Sequence, residues 1–333
     1  GIHTKNGGGL VEIDNYTSLT TGFSSDGINL GRELTANYAK VIINNEANIK
    51  ANGMGVRANA SVGNANSVAT IILNGPSNIE TTSTGATWSG YAVYAGQDTE
   101  SSSTVPLGKA EIYLNGDSKI TTGSTNAHGV YARAAGMISL GNVTVSATGN
   151  NANAIFASST TADKTATINL AKNATLTVGT GSAIYASGSE ALIRSWDTAT
   201  DTEAAGIYTV NGNILSDKGA LVSLNMAQGS TFTGITHSKT ATADAGTLNL
   251  SMEGDNSVWT MTGDSVLNTL ALDNGATLQY GAVADINTDA FILNSGGGAV
   301  DTNGYDNTLD ETLSGTGTLS KTGDGTLTLT GVN

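Results

Sequence analysis

The chain has 333 residues, among them 43 Gly, 2 Pro and no Cys, and 14 Lys and Arg against 28 Asp and Glu leave a formal charge of −14. Abundant Gly without a Gly-X-Y period or Pro excludes collagen, and a charged share of only 13% excludes a disordered polyelectrolyte or a long coiled coil. Such acidity repels nucleic acid and anionic lipid, and no apolar run reaches the length of a membrane-spanning helix, so neither nucleic-acid binding nor membrane insertion by this segment is expected.

From the N-terminus onward one unit recurs. Val11-Glu12-Ile13 leads to Leu19, Val41-Ile42-Ile43 to Ile49, Ile71-Ile72-Leu73 to Ile79, Ile112-Tyr113-Leu114 to Ile120, and Ile168-Asn169-Leu170 to Leu176. Each has two apolar residues two apart, a turn, and a third apolar residue eight positions after the first. Shortened copies follow at Ile138/Leu140, Val222/Leu224, Leu248/Leu250 and Leu270/Leu272. A second theme interleaves: Gly55-Val56-Arg57-Ala58, Ala92-Val93-Tyr94-Ala95, Gly129-Val130-Tyr131-Ala132, Ala154-Ile155-Phe156-Ala157, Ala183-Ile184-Tyr185-Ala186 and Gly206-Ile207-Tyr208-Thr209. Constant strand motifs at variable steps mean loops of different length inserted into a fixed coil.

Alternation with period two makes each unit a strand. Two or three short strands per coil, broken by Asn-Gly and Asp-Asn-Gly turns, predict an all-β fold: a right-handed parallel β-helix, a solenoid of about a dozen coils. Coils stacked at about 4.8 Å would form a rod on the order of 60 Å long. The seventeen aromatic residues (three Trp, ten Tyr, four Phe) are few for a thick core and suit a thin one of Ile, Val, Leu and Ala. A two-sheet β-sandwich is the alternative, but hairpin-linked strands would not repeat one motif at one phase. The solenoid is expected to fill residues 1–333 as a single segment and to continue past Asn333.

The last unit, residues 313–333, carries a denser pattern. Gly315-Thr316-Gly317-Thr318-Leu319-Ser320-Lys321-Thr322-Gly323-Asp324-Gly325-Thr326-Leu327-Thr328-Leu329-Thr330-Gly331 resembles the strand repeat of autotransporter passenger domains, matching GxGxLxKxGxGxLxLxG at every fixed position. The Val-Tyr-Ala and Ile-Tyr-Ala coils are similar to passengers of the pertactin and self-associating adhesin groups. The resemblance implies a bacterial cell-surface protein, anchored to the outer membrane through a C-terminal β-barrel that these 333 residues do not contain. It also implies the functions to weigh: adhesin, self-association or enzyme.

Residues suited to chemistry are sparse. The three histidines, His3, His128 and His237, have no second His at metal-ligand spacing, and without Cys neither a metal nor a cofactor is expected. Gly263-Asp264-Ser265 is similar to the Gly-Asp-Ser of serine proteases but continues with Val266, and a catalytic Ser needs a positioned His. Asn287-Thr288-Asp289 is similar to a motif of β-helical pectin hydrolases but continues with Ala290-Phe291 and lacks an identifiable companion acid. Both are expected to be structural, and the chain is expected not to be an enzyme. Asn44, Asn74 and Asn115 recur at one coil corner and are expected to be structural, each bonding its own turn or the next Asn of the stack.

The candidate ligand-binding residues are Arg57, Tyr94, Tyr131, Phe156, Tyr185 and Tyr208, which follow the central aliphatic of the second theme. Alternation puts Val93 and Ala95 on one face and Tyr94 on the other. If the aliphatic face is inward, an aromatic ladder lies outside, where rings stack on sugar faces or polypeptide side chains. Otherwise the rings are core stacks, or inserted loops shield them. Lys50, Arg57, Lys109, Lys119 and Arg133 form either solvated surface charge or a cationic strip for sulfated glycan. The leading expectation is an adhesin whose flank binds host matrix protein or glycosaminoglycan. Self-association between copies, driving aggregation and biofilm, is the alternative, and a polysaccharide lyase or hydrolase the enzymatic one.

Overall fold

A computed structural model describes residues 1–4, 8–22, 25–30, 38–83, 90–97, 106–238 and 245–331. Every regular element among them is a strand, and the strands pair in parallel with the exception of one hairpin. Each coil contributes strands to three columns. The first column begins with Ile2–Thr4, Ile28–Leu30 and Val56–Asn59, and the second with Gly9–Ile13, Tyr38–Ile43 and Val68–Leu73. The third begins at Thr17–Thr20 and forms a sheet of twelve strands ending at Leu319–Thr322. Ser265–Asp273 and Ile286–Leu293 each run through both the first and second columns, which joins those columns into one sheet of 22 strands. The fold is a parallel β-helix.

Register follows the apolar pattern. Val11, Val41, Ile71, Ile112, Ile138 and Ile168 pair in succession in the second column, and Ile193, Val222 and Leu248 continue them. In the third column Leu19, Ile49, Ile79, Ile120, Val145 and Leu176 do the same, followed by Val210, Phe232, Trp259 and Leu278. These side chains meet inside the coil as one continuous core. Phe232 and Trp259 stack there at 5.2 Å. Further on, Leu270 pairs with Leu250 and Leu272 with Met252, two residues from the offset that the Leu pairs alone suggest. A two-residue slip keeps every side chain on its own face, so the pattern cannot distinguish the two registers.

Coil length varies strongly. Ile71 and Ile112 are in register although 41 residues apart, whereas Leu250 and Leu270 are only 20 apart. The asparagine corner is built as expected: Asn74 donates to Asn44 at 2.7 Å, Asn115 to Asn74 at 2.8 Å, and Asn44 to Asp14 at 2.7 Å. The glycines that follow let these turns stack, because a Cβ on Gly116 would collide with the Gly75 backbone, and one on Gly75 with that of Asn45.

The last unit is also stacked in register. Leu313–Gly315, Leu319–Thr322 and Leu327–Leu329 lie on Phe291–Leu293, Gly298–Asp301 and Asn307–Leu309; Val332 and Asn333 lie outside the described residues. Lys321 occupies the inward column above Val300. Its ammonium donates to the carbonyls of Gly323 (2.6 Å) and Gly325 (2.7 Å), so the lysine and both glycines form one local clamp.

Candidate functional site

Five of the six expected residues form one column. Arg57, Tyr94, Tyr131, Phe156 and Tyr185 are consecutive register partners in the first column of strands. Their neighbours Val93, Ala95, Val130 and Ala132 belong to the main core, so the alternation is as expected and the rings face away from it. Tyr131 and Phe156 stack at 4.8 Å and Phe156 and Tyr185 at 5.0 Å, while Tyr94 meets Tyr131 edge-on at 5.5 Å. The Arg57 guanidinium lies 6.0 Å from the Tyr94 ring centre and pairs with Asp26 at 3.3 Å.

Facing away from the core does not expose the whole column. Tyr94 is 0% and Tyr131 6% accessible, because Met54, Tyr91 and Ala127 close over them as a second small core. These three residues lie two or three positions upstream of Val56, Val93 and Val130, at one place in three successive coils. An outer ladder open along its full length is therefore corrected: the N-terminal half is sealed and only the C-terminal half reaches solvent. Phe156 and Tyr185 are half-buried, and the column continues through half-buried Leu215 to exposed His237.

The tyrosine hydroxyls are committed within the protein. Tyr94 donates to the Gln97 carbonyl at 2.5 Å, Tyr131 shares a hydrogen bond with Ser158 at 2.8 Å, and Tyr185 donates to Asp217 at 2.9 Å. What the open half offers a ligand is ring edge, since Tyr131 and Tyr185 cover both faces of Phe156. Burial pushes the Tyr91 hydroxyl up to about 12, and it raises that of Tyr185 as well.

His128 is part of the seal. Its ring lies parallel to Tyr91 at 5.3 Å and meets Phe156 at 4.7 Å. Nδ1 accepts the Asn153 N–H at 3.0 Å, which places the ring proton of the neutral form on Nε2. Apolar surroundings lower its pKa to about 3.

Tyr208 does not belong to this column. It lies in the third column opposite Ala174, 1% accessible, with its hydroxyl bonded to Ser195 at 2.8 Å. The register partner of Ile184 is Ile214, not Ile207, and Leu215 takes the place assigned to Tyr208. The Gly-Ile-Tyr-Thr segment resembles the motif only because a short coil brings a third-column strand to nearly the same spacing.

The cations do not align into a strip. Lys50 pairs with Glu80 at 2.8 Å and Arg57 with Asp26 at 3.3 Å, while Arg133 is buried. Lys50 and Lys119 stand on the third column, Lys109 on the second, and Arg57 and Arg133 on the first. Ser265 is 1% accessible and donates to the Gly263 carbonyl, whereas His237, paired with the next residue Val266, is exposed on the opposite face. Asp289 accepts from Asn268 at 2.8 Å, and Thr288 bonds Glu311.

Sequence reasoning missed one further element beside the open half. A cavity of about 120 Å³ is lined by Arg133 and Lys218 and by Ser158, Ser159, Thr160, Thr161 and Ser187. Arg133, Ser158, Ser187 and Asp217 are register partners at the ends of the strands that carry the rings, so this cavity abuts the aromatic column. Only a known register brings residues so far apart in the chain together. No family model, curated protein or solved structure matches this chain.

Proposed function

We propose that this chain is an adhesin passenger segment of the autotransporter type, displayed on a bacterial surface, and that its flank binds glycosaminoglycan. The observation that carries the reading is the juxtaposition of Phe156, Tyr185 and Leu215 with the cavity between Arg133 and Lys218. A sulfate or carboxylate suits two cations bordered by Ser and Thr residues, and the apolar surface of a sugar suits the adjoining ring edges and Leu215. A rigid solenoid adds many weak contacts along one extended chain, which yields avidity. The last repeat, Gly315–Gly331, supports the surface assignment.

The test is binding of the purified chain to heparin and to immobilised fibronectin, for the parent and for Lys218→Glu and Tyr185→Ser. Saturable heparin binding that weakens with added salt and at least fivefold in each variant is expected. Heparin binding that neither variant alters would refute the assignment, as would its absence.

Self-association has its own supporting observation. Asn48, Asn78, Lys119, Thr144, Thr175 and Thr209 form an in-register polar column on the outer face of the third sheet. Beside it is a groove of about 540 Å³ lined in part by Glu46 and Asp117, whose charges complement Lys119. Concentration-dependent sedimentation of the purified chain, abolished by Lys119→Glu, would favour that reading over the first.

A further inference from the structure

Residues 196–203 depart from the coil. Ala191–Asp197 continues past its rung and turns back through Thr202–Glu203 in an antiparallel pair, Trp196 with Glu203 and Asp197 with Thr202. Nothing in the stacking of coils requires this hairpin. It is nevertheless held firmly: the Thr198 and Ser139 hydroxyls meet at 2.9 Å although 59 residues separate them in sequence, and Ala199 N–H donates to Asp197 at 2.8 Å. The hairpin thus folds back across the outer face of the second column. Ser139 and Asn169, outward on that face, are only 4% and 2% accessible, whereas Ile72 and Tyr113 in the same column are half-buried.

The hairpin walls a groove of about 480 Å³, within the range of small-molecule sites. Its floor crosses the rungs of Glu111, Met137, Thr167 and Leu192, about 14 Å by the spacing of strands. Trp196 stands in the wall, half-buried, with the Arg194 guanidinium 3.8 Å from its ring centre. Both are fixed before any ligand arrives: Arg194 Nε–H donates to Asn169 at 2.9 Å, and Trp196 Nε1–H to Asp201 at 3.3 Å. A site whose groups are already ordered loses little entropy on binding.

Charge selects the ligand class. Lys109, Lys164 and Arg194 line the groove together with Glu111, Asp163 and Asp201, three cations balanced by three carboxylates in a chain of net charge −14. A balanced set has no net attraction for an ion, but it places donors and acceptors side by side, as hydroxyl groups require. Trp196, Met137 and Leu107 supply apolar surface for the face of a pyranose ring.

We propose that this groove is a binding site for a short neutral oligosaccharide. It is separate from the aromatic flank and does not depend on the glycosaminoglycan assignment. The test is titration of the intact chain with lactose, N-acetyllactosamine, chitobiose and maltotriose, with a heparin tetrasaccharide as the acidic arm, followed by tryptophan fluorescence and calorimetry. At least one neutral sugar should bind saturably, with affinity reduced at least tenfold in Trp196→Ala and at least threefold in Glu111→Gln, and unchanged in Tyr185→Ser. Circular dichroism checks each variant; if Trp196→Ala fails to fold, Glu111→Gln decides alone. Failure of every neutral sugar to bind overturns the proposal. So does neutral-sugar binding that the groove variants do not weaken, or heparin as the sole ligand affected by them.

Discussion

The two halves of the aromatic column have the same register and the same strand motif, yet different environments. Around Tyr94 and Tyr131 the residues just before the strands, Met54, Tyr91 and His128, close over the rings. Around Phe156 and Tyr185 the corresponding positions are the small polar residues Asn153 and Ser182, and the rings keep one edge in water. The strand pattern therefore determines which way a side chain points, and the residues between strands determine whether anything covers it. One column forms a second core at one end and stands half open to solvent at the other.

The largest test of this contrast is a pair of truncations. Tyr94→Ala empties a sealed site and should cost about 3–5 kcal/mol, whereas Tyr185→Ala, at a half-exposed ring, should cost about 1 kcal/mol. Urea unfolding followed by circular dichroism measures both, and equal losses would erase the distinction between the halves. A stacked array need not unfold in one step, so the comparison is of the transition that each substitution moves.

The next effect is pH-dependent and belongs to the sealed half. The folded-state pKa of His128 lies near 3, below the usual 6.5, so the native state resists protonation. Its contribution to stability is complete above about pH 6.5 and is lost as pH falls from there toward 3. His128→Phe keeps a ring and removes the titration. Its melting temperature should fall less steeply than the parent's across that window, and parallel curves would show that His128 is not buried as a neutral base.

The smallest effect is expected in the open half. Leu215→Ser should leave stability within about 1 kcal/mol of the parent, as a half-buried side chain that covers none of the main core.

Much of this was legible in the sequence. The period-two pairs at Val41/Ile43 and Ile71/Leu73 define the inward face, and Asn44, Asn74 and Asn115 mark a corner that stacks as expected. The shift of Leu270 onto Leu250 was not legible, because both registers bury the same face. Tyr208 was misplaced for a related reason: a motif of four residues cannot report which column it occupies when coil length varies. The seal was hidden because Tyr91 and His128 precede their strands and belong to no alternating pattern. The groove under the hairpin depends on contacts such as Ser139 with Thr198, which nothing local encodes.

The register of the aromatic column is open to direct measurement, and the absence of native cysteine makes the experiment clean. Tyr185→Cys with Leu215→Cys places two thiols on adjacent rungs of one column, within the span of a disulfide, whereas Tyr185→Cys with Tyr208→Cys places them in different columns. Mild oxidation should crosslink the first pair rapidly and within a single chain, and leave the second reduced. Crosslinking of the second pair and not the first would contradict the stacking on which both the open flank and its neighbouring cavity rest.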